Sequence, residues 1–465
     1  MNLPYFWDLP LINKKTLQKY DVPGPRYTSY PTVPQWSLDV TADTYVLALK
    51  AFGQNDKSLS LYIHIPFCEQ LCYFCACNKV IRPQDKKVGD EFLIRLFGEI
   101  DMVSKAIGRR KIIRQLHWGG GTPTYLSEIQ TQKLFSKLQS VFDIDLKGEI
   151  AIEIDARTVT CNKLKVLRSL GFNRISTGVQ DFDSKVQEGI NRIEPFEEFA
   201  RVYHWCRDLG FESINFDLVY GLPYQTKGTF KKTLELVMDL RPDRIALYSF
   251  AHVPWISKPQ NKFNLQALPT PDEKLDIFIH SREGLLTHGY QAIGMDHFAL
   301  TSDAMAQAFN AGTLHRNFMG YTLRSADEFI GFGPSAISFL ENTYVQNIKV
   351  LPEYYQRIEQ GCLPVERGRQ LSKDDQVRQW VINRLMCQFQ VDKQTFYDKF
   401  GITFNDYFSY EAGHIQHCME DGLIYENSEH LQATDLGKIF IRNVCMGFDY
   451  YLRGENDQNR FSRTV

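Results

Sequence analysis

Cysteines are the residues in this sequence whose type and spacing point most directly to chemistry. Four of the ten cysteines, Cys68, Cys72, Cys75 and Cys77, lie within ten residues with the spacing C-x3-C-x2-C-x-C. A structural zinc site usually takes two separated pairs of ligands, whereas closely spaced thiolates suit an iron–sulfur cluster. The sequence contains no second C-x2-C pair. The spacing therefore favours an iron–sulfur cluster, with a zinc site and a simple electron carrier as the alternatives.

A glycine-rich segment and four polar residues form the second group of candidates. The segment GGGTP at 119–123 follows an apolar run, and its glycines let the backbone approach a ligand closely. Glu153 and Asp217 lie within other apolar runs, and Gln180 and Arg192 follow a further one. Either carboxylate can accept hydrogen bonds from an amine or a ribose hydroxyl. The alternatives are a tight turn for the glycines and satisfied interior polar residues for the other four.

Six strands that alternate with helices position these candidates. Apolar runs begin near residues 59, 113, 150, 173, 214 and 244, with helical periodicity at about 89–106, 127–141, 160–170, 195–209 and 226–239. This alternation predicts an α/β fold with a parallel sheet. An incomplete (β/α)6 barrel and an open doubly wound sheet would both produce the pattern. In either fold ligands bind beyond the carboxyl ends of the strands, where the candidates fall.

Three regions are predicted along the chain. They are an N-terminal arm at 1–57, a catalytic barrel with its extension at 58–350, and a mostly helical, winged-helix-like domain at 351–465. Prolines and a glycine exclude a regular helix at 22–31 and predict an extended arm lying on a later domain. The arm is either a surface strap or, through Arg26, a contact with substrate.

Composition excludes several classes of protein. The chain has 53 basic and 55 acidic residues, which indicates no nucleic-acid partner. No window approaches the ~18 apolar residues of a membrane span, and the first ten residues lack the pattern of a signal peptide. We therefore expect a cytoplasmic protein, in which clustered cysteines indicate metal or redox chemistry rather than disulfides.

Several motifs resemble those of a known family. The C-x3-C-x2-C spacing, with Phe74 before the third cysteine, is similar to the signature of radical S-adenosylmethionine enzymes. The segments PRYTSYP at 25–31, YIHIPFC at 62–68, CYFCACNK at 72–79, GMDHF at 294–298 and HRNFMGY at 315–321 resemble the oxygen-independent coproporphyrinogen III oxidases. Related radical proteins that act as haem chaperones generally lack the arm and have an aromatic residue at the position of Cys77.

The resemblance implies a set of cofactor sites within a radical S-adenosylmethionine barrel. Cys68, Cys72 and Cys75 would ligate a 4Fe-4S cluster whose fourth iron is open, and Cys77 would not be a ligand. The family binds two molecules of S-adenosylmethionine. The first would contact Tyr62, Gly120, Glu153 and Ile337, and both would share Phe74, Gly121, Thr122, Gln180, Arg192, Asp217 and Ala251.

The resemblance also implies a reaction. Two propionate side chains of coproporphyrinogen III would be oxidatively decarboxylated to vinyl groups without oxygen, giving protoporphyrinogen IX for haem synthesis. Arg26, Arg316 and Lys79 are candidate contacts for the substrate carboxylates, with Cys77 as a fourth candidate, and solvated surface charge is the alternative for the three cations. The implied partners are an electron donor such as a flavodoxin or ferredoxin, and the implied state is a monomer. The alternative function is a radical-enzyme-like haem chaperone.

Overall fold

The computed structural model describes residues 14–255, 257–323, 326, 328–453 and 461–464. Residues 1–13 of the predicted arm lie outside the described residues. The strands are β1 (Leu59–Ile65), β2 (Phe67–Cys68), β3 (Val80–Ile81), β4 (Ile112–Gly120), β5 (Asp143–Ile154), β6 (Arg174–Gln180), β7 (Ser213–Tyr220), β8 (Arg244–Ser249), β9 (Tyr290–Gly294), β10 (His297–Leu300), β11 (His315–Asn317), β12 (Gly320–Thr322), β13 (Glu328–Phe332), β14 (Ile337–Leu340), β15 (Thr343–Asn347), β16 (Val365–Gln370), β17 (Gln390–Asp392), β18 (Ile424–Glu426) and β19 (His430–Ala433).

The helices surround the sheet and build the C-terminal region. They are α1 (Lys14–Tyr20), α2 (Ala42–Gly53), α3 (Lys86–Ile107), α4 (Glu128–Val141), α5 (Cys161–Ser169), α6 (Ser184–Gly189), α7 (Phe196–Asp208), α8 (Lys227–Leu240), α9 (Pro271–Thr287), α10 (Ala304–Asn310), α11 (Leu351–Glu359), α12 (Lys373–Gln388), α13 (Lys393–Phe400), α14 (Phe404–Tyr407), α15 (Ala412–Glu420), α16 (Asp435–Ile439) and α17 (Ile441–Met446). None of the described helices combines the length and the apolar composition that a membrane crossing requires.

The order of the parallel strands distinguishes the two predicted architectures. Strands β1, β4, β5, β6, β7 and β8 are neighbours in chain order, and each pair is parallel. A doubly wound sheet would reverse its strand order at a switch point. The sheet therefore has the incomplete-barrel order that was one of the two predictions. At one edge β10 and β9 add antiparallel strands, and at the other β13 pairs parallel with β1 and continues into β14, β15 and β16.

The alternation of side chains along β1 separates the hydrophobic core from the barrel interior. Leu61, Ile63 and Ile65 are fully buried and belong with Leu96 of α3 to the largest hydrophobic cluster. Neighbouring side chains of a strand point to opposite faces, so Tyr62 lies on the interior face. The helices thus cover the outside of the sheet, and polar residues are left to line its inside.

The arm packs on the C-terminal region, as the sequence predicted. Tyr27 and Tyr30 are buried in one hydrophobic cluster with Leu385 of α12. The Tyr27 hydroxyl donates to Asp449 Oδ2 at 3.1 Å, and Arg442 Nε donates to Pro25 O at 2.9 Å. In the same region β17, β19 and β18 form a small antiparallel sheet beside α12 to α17. We propose that the chain divides into an arm at 1–57, a barrel with its extension at 58–350 and a C-terminal domain at 351–465.

A buried carboxylate joins α3 to the far edge of the sheet. Glu99 accepts hydrogen bonds from Gly333 N at 2.9 Å, Asn347 Nδ2 at 2.6 Å and the Tyr354 hydroxyl at 2.6 Å. Burial raises the pKa of Glu99 to about 7, although the three donors oppose that rise. The carboxylate therefore holds the turn between β13 and β14 against α3.

We predict that Glu99 makes the thermal stability depend on pH. Because the pKa of Glu99 is raised to about 7 in the fold and lies near 4.3 in the unfolded chain, its contribution is fully present below pH about 4. That contribution is lost as the pH rises through about 7. Calorimetry between pH 5 and pH 8 should show a larger fall of the melting temperature in wild type than in Glu99→Gln. Parallel curves for the two proteins would contradict the prediction.

Candidate active site

The cysteine loop lies at the carboxyl end of β1. Cys68 ends β2, which pairs with β3, so the two ends of the loop are joined by backbone hydrogen bonds. Tyr73 N donates to Ile190 O at 2.9 Å, and Asn191 Nδ2 donates to Leu71 O at 2.6 Å. The loop is thereby fixed against the segment that follows β6 and α6.

Two of the three predicted ligand sulfurs accept hydrogen bonds from the strand ends around them. The Thr122 hydroxyl donates to Cys68 Sγ at 3.4 Å. The Cys72 sulfur accepts from Arg157 Nη2 at 3.8 Å and from Arg192 Nη1 at 3.9 Å. These donors come from the segments after β4, β5 and β6, so three consecutive strand ends converge on the loop.

The last two cysteines differ in their protonation. A hydrogen bond from the Cys77 thiol lowers the pKa of Cys75 to about 6, and the charge of Lys79 acts in the same direction against the effect of burial. The same hydrogen bond raises the pKa of Cys77 well above its usual value. Lys79 Nζ donates to Cys75 O at 2.8 Å and to Cys77 O at 3.4 Å. The Cys75 thiol is therefore the more acidic of the two, and Lys79 Nζ binds the backbone carbonyl groups of both.

The donor set fits an iron–sulfur cluster better than a single ion. A structural zinc site takes four tetrahedral ligands, usually from two separated pairs, whereas the three predicted ligand cysteines lie on one short loop. A cluster binds each thiolate at a different iron and so accepts sulfurs that stand further apart. Cys68, Cys72 and Cys75 are thus suited to a cluster with three cysteine ligands.

The glycine segment makes room for a carboxylate at the end of β4. A Cβ atom on Gly119 would lie 2.6 Å from Glu153 Oε1, and one on Gly121 would lie 2.7 Å from Phe67 O. Gly120 has a φ of 114° and its N–H donates to Glu153 Oε2 at 3.2 Å. His117 Nε2 lies 3.2 Å from Glu153 Oε1. Burial opposes ionisation of Glu153, but the hydrogen bonds from His117 and Gly120 outweigh it and lower its pKa.

Other predicted residues lie on the same interior face. The Tyr62 ring stacks on His117 with centroids 5.8 Å apart, which places Tyr62 beside Glu153. Asp217 accepts from Asn215 Nδ2 at 2.8 Å, and burial raises the pKa of Asp217 to about 6, with the charge of Glu153 adding to that rise. These residues lie inside β1, β4, β5 and β7, and the charge of Glu153 acts on Asp217 across the strand between them.

Gln180 and Arg192 lie together at the end of β6. Gln180 has a φ of 61°, a left-handed conformation, and its side chain lies over Gly178. Arg192 Nη2 donates to Gly178 O at 2.6 Å and Nη1 to Asp155 Oδ2 at 3.5 Å. Arg192 Nε is buried without a hydrogen-bond partner among the described residues. That unsatisfied donor suits a ligand carboxylate beside the cysteine loop.

The structure places Phe74, Ala251 and Ile337 at two different positions. Gln260 Nε2 donates to both Phe74 O and Ala251 O at 3.2 Å, so these two residues lie together beside the cysteine loop. Ile337 begins β14, and its backbone N would lie 2.9 Å from a Cβ atom on Gly331. Gly331 is the register partner of Tyr62, so Ile337 lies on the β1 side of the interior.

The predicted substrate contacts form two groups. Cys77 and Lys79 belong to the cysteine loop. Arg26 of the arm donates to Asp296 Oδ2 at 3.1 Å and lies over the ring of Tyr248, 5.9 Å from its centroid. Arg316 stacks over Tyr321 at 4.7 Å, and its Nε and Nη1 are buried without a hydrogen-bond partner among the described residues. Burial opposes ionisation of Asp296, but His297 lowers its pKa, and the charges of Arg26 and Arg316 act in the same direction.

A cavity of about 540 Å³ adjoins this second group. It lies between the hairpin of β11 and β12, the strands β13 to β15, and the helices α12 and α13. Four cationic side chains line it, namely Lys57, Arg316, Arg384 and Lys399, and the lining carboxylate Glu328 pairs with Lys57 at 2.5 Å. Its volume is in the range of small-molecule sites, which run from about 300 to 1,000 Å³. The cavity therefore suits an anionic ligand of substantial size.

Sequence reasoning missed Arg157 at the cysteine loop and Lys57, Arg384 and Lys399 at the cavity. Arg157 lies two residues after Asp155, at the end of a predicted strand. This position at a strand end could have identified Arg157 as a candidate. Arg384 and Lys399 lie on helices far along the chain and carry no local signal. Their contribution to the cavity follows only from the packing of α12 and α13 against the barrel.

Two family models match the chain. Residues 62–237 match the radical SAM superfamily, and residues 371–440 match the HemN C-terminal domain. The oxygen-independent coproporphyrinogen III oxidase of Synechocystis sp. is 41% identical over 97% of this chain and 97% of its own length. The protein of the same name from Escherichia coli is 42% identical over 99% of this chain and 98% of its own.

A solved structure is similar over nearly the whole fold. It is described as coproporphyrinogen III oxidase (HemN) from Escherichia coli, a radical SAM enzyme, and it aligns with a TM-score of 0.90 at 41% identity. The alignment covers 94% of this chain and 99% of that one. Since both the radical domain and the C-terminal domain are matched, the similarity is not restricted to the cofactor-binding half. The chain belongs to the family of the oxygen-independent coproporphyrinogen III oxidases.

Proposed function

We propose that the protein decarboxylates two propionate side chains of coproporphyrinogen III oxidatively and without oxygen, giving protoporphyrinogen IX for haem synthesis. The observation that carries this proposal is the match over 97% of the chain to a relative with that activity in its name. The three-cysteine loop, the glycine segment and the cationic cavity support it independently. They supply positions for a cluster, a nucleoside-linked amino acid and a polyanionic substrate.

The proposed cofactors are one 4Fe-4S cluster and two molecules of S-adenosylmethionine. When bound and reduced they supply a 5′-deoxyadenosyl radical, which removes hydrogen from carbon atoms that no side-chain base can deprotonate. Cys68, Cys72 and Cys75 would hold the cluster. The first S-adenosylmethionine would contact Tyr62, Gly120, Glu153 and Ile337, and both molecules would share Phe74, Gly121, Thr122, Gln180, Arg192, Asp217 and Ala251.

Side chains of this protein bind and orient the proposed ligands. The ionised Glu153 can accept hydrogen bonds from amino or hydroxyl groups. The unsatisfied Arg192 Nε can donate to a carboxylate. In the cavity, the unsatisfied Nε and Nη1 of Arg316 can bind a substrate carboxylate, and Arg384 and Lys399 add positive charge. The chain thus positions a donor or acceptor for each polar group of the ligands and leaves the radical step to the cofactor.

We also propose that the protein is a cytoplasmic monomer that receives electrons from a small carrier such as a flavodoxin or ferredoxin. The proposal follows from the reaction, since reductive cleavage of S-adenosylmethionine consumes one electron per radical. Cys77 and Lys79 are proposed to contribute to the substrate side of the cysteine loop, and Arg26 to bind substrate after exchanging its partner Asp296.

An anaerobic turnover assay tests the proposed function. Protein with a reconstituted cluster is incubated with dithionite, S-adenosylmethionine and coproporphyrinogen III. We expect protoporphyrinogen IX, CO2, methionine and 5′-deoxyadenosine. Formation of 5′-deoxyadenosine without any decarboxylated porphyrinogen would overturn the proposal. Tight haem binding without turnover would instead support the alternative of a haem chaperone.

We predict that Arg316→Gln weakens substrate binding. Losing a charged hydrogen bond costs about 1.5–3 kcal/mol, so the KM for coproporphyrinogen III should rise about 10- to 100-fold. The affinity for S-adenosylmethionine should stay within about twofold, because Arg316 lies beside the cavity rather than at the cysteine loop. Arg201→Gln, on the exposed face of α7, is the matched control. An unchanged KM in Arg316→Gln would place the substrate elsewhere.

A further inference from the structure

Arg157 contacts the cysteine loop but has no role in the proposed binding of S-adenosylmethionine or of substrate. Arg157 begins the segment after β5, and its Nη2 donates to Cys72 Sγ at 3.8 Å. Its Nη1 donates to Gln70 Oε1 at 3.2 Å, within the same loop. Arg157 therefore contacts the cysteine loop twice, once at the Gln70 side chain and once at the Cys72 sulfur.

A carboxylate fixes the orientation of this guanidinium. Arg157 Nε donates to Asp155 Oδ1 at 2.9 Å and Nη2 to Asp155 Oδ2 at 2.6 Å, a bidentate pair. Asp155 also accepts from Arg192 Nη1 at 3.5 Å. The side chains of all three residues are no more than 12% exposed, so solvent screens their charges only weakly. Glu194 accepts from Arg192 Nη2 at 3.2 Å and offsets the charge of that arginine, so the cation that is held at the Cys72 sulfur by its pair with Asp155 is Arg157.

We propose that Arg157 is a positioning residue that sets the reduction potential of the iron–sulfur cluster through the Cys72 sulfur. This inference rests on the proposed function, because it requires a cluster bound by Cys72. Reduction adds one negative charge to the cluster, and a nearby cation with a hydrogen bond to a ligand sulfur stabilises the reduced state. The pair with Asp155 keeps the cation at the sulfur instead of in solvent.

Arg192 and Arg157 have different contacts, which indicate different roles. Arg192 has an unsatisfied Nε and is proposed to bind the carboxylate of S-adenosylmethionine. All three nitrogens of the Arg157 guanidinium donate to Asp155, Gln70 or Cys72. Four of the five N–H groups of Arg157 are therefore engaged by the protein, which argues against a ligand-binding role. Its replacement should change the potential of the cluster and leave the affinity for S-adenosylmethionine unaltered.

Potentiometric titration followed by electron paramagnetic resonance tests the proposal on anaerobic, cluster-loaded protein without substrate. In Arg157→Met we expect the ratio of reduced to oxidised cluster at a fixed potential to fall about tenfold, which is about 59 mV for a one-electron couple. Arg157→Lys keeps the charge but not the bidentate geometry, and should shift the potential in the same direction by less than half as much. The dissociation constant of S-adenosylmethionine should stay within about twofold of wild type in both variants.

Arg114→Met is the matched control, since Arg114 pairs with Asp145 at 3.3 Å at the other end of the barrel strands. A full cluster with unchanged potential in Arg157→Met, or an equal shift in Arg114→Met, would overturn the proposal. If Arg157→Met assembles no cluster, the test is made on Arg157→Lys. A lowered reduction potential in that variant would support the proposal, and an unchanged potential would overturn it. Failure of the proposed function is distinguishable, because wild type would then form no protoporphyrinogen IX in the turnover assay, whereas the titration measures the cluster alone.

Discussion

Replacement of Cys75 by serine is expected to leave the purified protein without its iron–sulfur cluster. The hydrogen bond from Cys77 and the charge of Lys79 lower the pKa of Cys75, which favours the thiolate form that binds iron. A serine hydroxyl stays protonated at that pH and is a poor ligand for iron in a sulfur-rich cluster. Iron and acid-labile sulfide should fall below about a tenth of the wild-type content after anaerobic reconstitution.

Cys77→Ser is the matched variant, two residues away in the same loop. We expect it to keep the wild-type iron content, because Cys77 donates a hydrogen bond to Cys75 and is not proposed as a ligand. The double variant Cys75→Ser/Cys77→Ser should lose iron as completely as Cys75→Ser does. A single Cys75→Ser that retains iron, combined with loss in the double variant, would show that Cys77 can replace Cys75. Loss of iron in Cys77→Ser alone would contradict the ligand assignment.

Much of the barrel could be predicted because its signals are local. The run before Cys68 and the glycines after β4 show where two strands end, and hydrophobic periodicity gave α3 and α4 to within a few residues. The helix bounds are set by nearby residues. The Asp85 side chain accepts from Lys87 N at 2.8 Å at the start of α3, and Gly108 ends the helix with a φ of 77°.

The rest depends on pairings between distant parts of the chain. Strand β13 pairs with β1 although the other barrel strands lie between them in sequence. The residues of these two strands do not by themselves indicate which strand will be their neighbour. The room for Glu153 beside Gly119 depends on the register of β5 on β4, which aligns Ile152 with Trp118. The cavity lined by Arg316 requires a hairpin and two helices from different regions to meet. Sequence patterns identify these residues, and only packing brings them together.

A second large effect is expected at Glu153, whose replacement by glutamine should weaken the binding of S-adenosylmethionine about 10- to 100-fold. Glu153 is ionised despite its burial, since His117 and the Gly120 N–H lower its pKa. Glutamine keeps the size of the side chain, so it avoids a clash with Gly119, but it removes the charge and one acceptor oxygen. A hydrogen bond to a charged group is worth about 1.5–3 kcal/mol, which gives the expected range.

Glu149→Gln is the control that separates a local role from a general loss of negative charge inside the barrel. Glu149 lies on the same face of β5, four positions earlier, where it accepts from Gln115 Nε2 at 3.4 Å and lies 3.4 Å from Arg174 Nε. Anaerobic calorimetric titration of cluster-loaded proteins should show wild-type affinity in Glu149→Gln and the weakened affinity in Glu153→Gln, with equal iron contents. Equal losses in both variants would mean that S-adenosylmethionine responds to the charge of the whole interior. Wild-type affinity in Glu153→Gln would mean that the carboxylate only orients His117 and the glycine segment, and that the ligand binds through other groups of the strand ends.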